Sequence, residues 1–113
     1  MNFPSSNRRK HARKAMRRNA HLLFPDRPSI LVRTTDISKG GLGAIADVNL
    51  LPGTSCMVRL SLPLHPQDKT VLNIQVQVAH SVFSHAEKGF KVGFQFIDLP
   101  PLETEVVAQF LML

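Results

Sequence analysis

The sequence predicts a small, mainly β domain: six antiparallel strands closing into a barrel, with one helix at the C-terminal end. Three observations carry that reading. Runs of alternating apolar and polar residues recur between positions 16 and 96, the mark of strands with one face buried. Clusters of Pro, Gly, Asp and Asn separate the runs, as turns between antiparallel neighbours require. After Pro100 and Pro101 the apolar period changes to four, as on one face of a helix. At 113 residues the chain has room for one domain and one modest core.

The elements follow in order. Residues 1–6 are short and polar, and residues 7 to about 14 form a basic arm, either a helical turn or extended chain. From about Met16 to Phe24, Met16, Ala20, Leu22 and Phe24 share one parity, interrupted by Arg18, which predicts the first strand. Pro25-Asp26-Arg27-Pro28 turns the chain, and Ile30 to Thr35 returns as its hairpin partner. Beyond a glycine-rich stretch, Leu42 to Ala46 is a short strand, and Asp47 to Gly53 is a loop closed by Pro52-Gly53. Cys56, Val58, Leu60 and Leu62 alternate with polar neighbours and Met57, predicting a fourth strand that ends at Pro63-Leu64-His65-Pro66. The fifth is the clearest: Leu72, Ile74, Val76 and Val78 alternate with Asn73, Gln75 and Gln77, and the run continues towards Phe83.

After a turn over Ser84 to Gly89, Phe90, Val92, Phe94 and Phe96 make the apolar face of the sixth strand. Gly93 lies on its other face, where a missing side chain permits close approach. Pro101 suits the first turn of a helix. Leu102, Val106 and Phe110 recur at spacing four, so these three are expected to pack on the barrel, and Glu103 and Glu105 sit near the favourable N-terminal end of the dipole. The expected division is a flexible basic arm over 1–15 and a barrel with its helix over 16–113.

Charge is distributed unevenly. The net charge is +6, yet residues 1–25 hold Arg8, Arg9, Lys10, Arg13, Lys14, Arg17 and Arg18 with no acid, while the remainder is nearly balanced. A local concentration of this kind serves an anion. Trp and Tyr are absent, so seven Phe residues supply the large core groups. No run is long enough to span a membrane, no secretory leader is recognisable, and the lone Cys56 has no partner for a disulfide. A cytoplasmic location without membrane insertion is the expectation. The five His residues are scattered, with His80 and His85 expected to flank or occupy a strand end; no zinc-type cluster and no catalytic base beside Ser38 is visible, so neither a metal site nor an enzyme is expected.

Two motifs carry the chemistry. Thr35-Asp36-Ile37-Ser38-Lys39-Gly40-Gly41-Leu42-Gly43 combines a carboxylate and a hydroxyl, two apart, with three glycines. In extended geometry Asp36 and Ser38 point to one face and accept hydrogen bonds there, as from the N–H edge of a guanine-like base. Upstream, Arg9 and Arg13 are four apart with Arg8 beside them. Guanidinium forks suit phosphate and the guanine edge, and their flat faces stack on bases. Acceptors in one place and guanidinium groups in the other fit a ligand bearing both guanine and phosphate.

Arg9-x-x-x-Arg13 followed by Asp36-x-Ser38-x-x-Gly41 resembles the two-part signature of PilZ domains, bacterial receptors for cyclic di-GMP. The resemblance runs over about residues 7 to 111. It implies a PilZ-type barrel and helix, no cofactor, and a cyclic di-GMP site formed by Arg9, Arg13, Asp36 and Ser38, with Gly41 providing backbone room. In that family an arginine just before the first motif accompanies binding of two stacked ligands, so Arg8 implies two molecules per chain. It further implies that ligand binding is signalled to an effector protein. Two alternatives are compatible with the sequence: a PilZ-like protein–protein adaptor with weak or no nucleotide binding, and a basic small barrel that binds RNA or DNA. The Phe residues of the sixth strand share one parity with Val92, as a core does, which speaks against an aromatic nucleic-acid platform.

Overall fold

The computed structural model describes residues 12–64 and 70–113. Its strands are β1 (Lys14–Ala15), β2 (Asn19–Leu23), β3 (Ile30–Ile37), β4 (Gly41–Ala46), β5 (Ser55–Leu62), β6 (Thr70–Ser84) and β7 (Gly89–Phe96), followed by one helix, α1 (Pro101–Leu111). All pairings are antiparallel. Following neighbours gives β3-β2-β5-β6-β7-β4, and β4 pairs back onto β3, so the six expected strands close a ring. The two-residue β1 lies along the same edge of β3 as β2, pairing Lys14 with Ile37 and Ala15 with Asp36. Between β1 and β2, Met16 N–H donates to Thr35 O at 2.9 Å, and the buried Thr34 hydroxyl donates to Met16 O at 2.6 Å. These bonds satisfy backbone groups where the ladder is interrupted.

The alternation read from the sequence becomes the inside and outside of the ring. Ala20 and Leu22 of β2, Cys56 to Leu62 on even positions of β5, and Leu72 to Val78 on even positions of β6 are buried. Val92 and Phe94 complete the wall from β7, whereas Phe90 and Phe96, nearer the strand ends, are half-buried. β4 is buried along its whole length. Its inward Leu42, Ala44 and Ala46 meet the core, and its outward positions begin with Gly41 and Gly43.

Two details differ from expectation. Leu102 is 67% exposed and does not pack; Val106, Val107 and Phe110 do. α1 leans on the barrel with its C-terminal half, so the first-turn apolar residue stays in solvent. His80 does not end a strand, because β6 runs on to Ser84 as one arm of a long hairpin with β7. Pro101 occupies the start of α1 as foreseen, and the Thr104 hydroxyl donates to Pro100 O at 2.9 Å. Among the described residues no helix is long and apolar enough to cross a membrane.

Candidate ligand-binding site

An open cleft of about 1120 Å³ lies on the outer face of the ring, where β3, β4, β7 and β6 run side by side. Arg13, Asp36, Ser38 and Gly41 all line it. Arg8 and Arg9 lie outside the described residues.

Two β-bulges shape this face. On β3 the pairing to β4 steps between Thr34 and Asp36, and on β6 the pairing to β7 steps between Val78 and His80. An extra residue interrupts strict alternation, so two consecutive side chains take the same side. Thr34 is buried inside while Thr35 and Asp36 both line the cleft; Val78 is buried inside while Ala79 and His80 both line it. Each bulge therefore delivers a pair of residues to the site without disturbing the core.

Asp36 is held at both oxygens. Arg13 Nε donates to Oδ2 at 2.9 Å, and the Thr35 hydroxyl donates to Oδ1 at 3.2 Å. The two partners of the ion pair are 36% and 30% exposed, so the pair is screened and contributes little to stability, on the order of 0–1 kcal/mol. Its value is positional: it brings residues from the two motifs, 23 apart in sequence, onto one wall. Gly43 makes the carboxylate's position possible. A Cβ there would stand 2.5 Å from Asp36 Oδ1 and 2.8 Å from Thr35 Oγ1.

Ser38 is 2% exposed and organises the turn between β3 and β4. Its N–H donates to Gly41 O at 2.8 Å, and its hydroxyl accepts from Gly40 N–H at 3.2 Å. Gly41 sits where a Cβ would overlap the Phe94 carbonyl of β7, so only glycine lets the two strands approach. Gly93 meets the same need differently. The space a Cβ would take is filled by the His80 imidazole, which reaches across from β6 and lines the cleft. The close approach expected at Gly93 is thus made by a side chain rather than by backbone. Further round, Arg17, Lys91 and Glu87 line the cleft, with Arg17 Nη2 3.9 Å from Glu87 Oε2.

The sequence did not assign His80 or Lys91 to the site, nor show the specific role of Gly43. Gly43 carried a signal, since it alternates with Gly41 on the outward face of a strand. His80 carried none, because the bulge that turns it outward leaves no trace in the apolar pattern.

A family model for the PilZ domain matches residues 7–113, and the chain belongs to that family. No significant sequence match was found among curated proteins. Solved structures share the fold at low identity. The inhibitor of motility MotI/DgrA of Bacillus subtilis superimposes with a TM-score of 0.81 at 13% identity, over 92% of this chain and 49% of that one. The PilZ domain of YcgR from Escherichia coli, solved with c-di-GMP, gives 0.71 at 16% identity, over 93% and 89%. The MrkH–c-di-GMP complex from K. pneumonia gives 0.73 at 14% identity, over 92% and 51%. The chain thus spans about half the length of MotI/DgrA and MrkH, and most of the isolated YcgR PilZ domain.

Proposed function

We propose that this PilZ domain is a cyclic di-GMP receptor that performs no chemistry itself. The observation that carries the reading is the meeting of Arg13 and Asp36 at 2.9 Å on the wall of an outward cleft. A guanidinium donor and a carboxylate acceptor side by side suit a ligand with anionic phosphates and a guanine N–H edge. Arg8 and Arg9, five and four residues before Arg13 in sequence, supply the remaining cations; Ser38 and Gly41 shape the turn beneath. Structures of YcgR and MrkH with c-di-GMP share this fold and support the choice of ligand.

Signalling follows from charge. Residues 7–13 carry Arg8, Arg9, Lys10 and Arg13 with no acid, so phosphates neutralise this segment and draw it over the cleft. The rearranged arm and covered ligand form the surface that an effector protein reads in the cytoplasm. With Arg8 contributing, two stacked ligands occupy each chain.

Calorimetric titration of the full chain with cyclic di-GMP, and separately with a short oligonucleotide, tests the reading. Binding of the first and not the second is expected, saturating at two ligands per chain. Arg13→Ala and Asp36→Ala each remove charge-assisted hydrogen bonds worth roughly 1.5–3 kcal/mol, about ten- to a hundredfold in affinity. Unchanged affinity in Arg13→Ala overturns the assignment.

A further inference from the structure

We propose that Lys14 is a positioning residue of the cleft: by gripping the C-terminal end of α1 it holds β1 where Arg13 reaches Asp36, and so couples the site to the end of the helix. The ligand in this proposal rests on the cyclic di-GMP reading; the grip itself does not.

Lys14 and Arg13 are neighbours in sequence that serve opposite sides of the chain. Along an extended segment successive side chains alternate, and Arg13 and Ala15 line the cleft while Lys14 turns the other way. There its Nζ donates to Phe110 O at 3.1 Å and to Leu113 O at 2.9 Å, and it stands 4.5 Å from the centre of the Phe110 ring. These partners lie 96 and 99 residues away along the chain.

The grip suits the helix end by its charge: Phe110 O also accepts from Leu113 N–H at 3.2 Å, and Leu113 lies just past the end of α1, so Lys14 adds a cation there rather than the first donor. The last carbonyls of a helix have no donor within the helix, and the macrodipole leaves that end negative. α1 has no basic residue of its own in its last turn. Lys14 supplies the missing cation from the opposite end of the described chain, and the Phe110 face adds a cation–π contact. Phe110 is itself a buried anchor of α1, so the grip joins the arm to the part of the helix that is fixed to the barrel.

The arm needs such an anchor. β1 contributes two ladder pairs, Lys14 with Ile37 and Ala15 with Asp36, a short hold for a segment that must present a guanidinium at fixed geometry. A shift of β1 carries Arg13 away from Asp36. The coupling is reciprocal by thermodynamic necessity: if the grip favours the ligand-competent arm, ligand on Arg13 tightens the grip.

The test compares wild type with Lys14→Met, which keeps the stem over Phe110 and loses the donors, with Lys14→Gln as a second neutral variant, and with Lys14→Arg, which restores a cation. Hydrogen exchange without ligand is read at Met16, and cyclic di-GMP affinity is read by calorimetry. Faster exchange at Met16 and an affinity about three- to tenfold lower are expected in the neutral variants, with Lys14→Arg close to wild type. In wild type, ligand slows exchange at Met112 and Leu113; in Lys14→Met it does not. Melting temperature reports whether each variant is folded. Folded neutral variants with unchanged Met16 exchange and unchanged affinity overturn the proposal. If wild type itself fails to bind cyclic di-GMP, the ligand reading falls, while the ligand-free exchange still decides whether the grip exists.

Discussion

Single residues divide here into those that keep strands together and those that keep one carboxylate in place. Gly41 and Gly43 are two apart on the same strand, yet they serve different ends. A methyl at Gly41 strikes the Phe94 backbone carbonyl, which cannot move without parting β4 from β7. A methyl at Gly43 strikes the ends of the Asp36 and Thr35 side chains, which can rotate away. Gly41→Ala should therefore lower stability by roughly 1–3 kcal/mol, visible as a fall in melting temperature. Gly43→Ala should leave melting within about 1 kcal/mol of wild type while weakening cyclic di-GMP binding about tenfold, because the displaced carboxylate loses Arg13. Asp36 and Arg13 were legible as a pair of chemistries in the sequence, since acceptor and fork are properties of residue types. That they touch each other was not, because 23 residues and a two-residue strand separate the motifs.

At the scale of elements, the strands were legible wherever one face is buried and the other wet. β5 and the first half of β6 show this best, with buried even and largely exposed odd positions. β1 was not legible, since two residues, one of them a lysine, cannot form a pattern. The helix was seen, but its buried face was misjudged at one end. Leu102, Val106 and Phe110 obey a spacing of four; Val106, Val107 and Phe110 obey the helical mixture of three and four equally well. Only the place where α1 leans on the barrel chooses between them. Val107→Ala, at a residue 1% exposed, should cost about 1.5–3 kcal/mol, whereas Leu102→Ala should stay within about 0.5 kcal/mol of wild type in chemical denaturation. Equal losses at both positions would mean that the helix sits rotated from the orientation described.

For the molecule as a whole, ring closure sorts side chains into a sealed interior and an outer working face. Cys56 reports the interior. Burial pushes its thiol from 9.0 up to about 11, with Arg27 pulling weakly the other way. The folded chain thus holds this proton more tightly than the unfolded chain does. Its contribution to stability is complete below pH 9 and is lost as pH rises towards 11. Melting should fall over that window, and less steeply in Cys56→Val, which has nothing to ionise; identical slopes would show that the thiol plays no part. The bulges at Thr35 and Ala79 have a different consequence, one of reading frame. Elsewhere in the ring, loss of a single residue would send every following side chain to the wrong side until the next turn. At these two points the extra residue is spare to the ladder with β4 or β7, although Thr35 also accepts from Met16 N–H and supports Asp36. Removing Thr35 leaves Thr34 inward, Asp36 outward and Ile37 inward, an ordinary alternation that β4 can pair without slipping. The strands that carry the cleft are thus also the places where this barrel can shorten by one residue and keep its inside within.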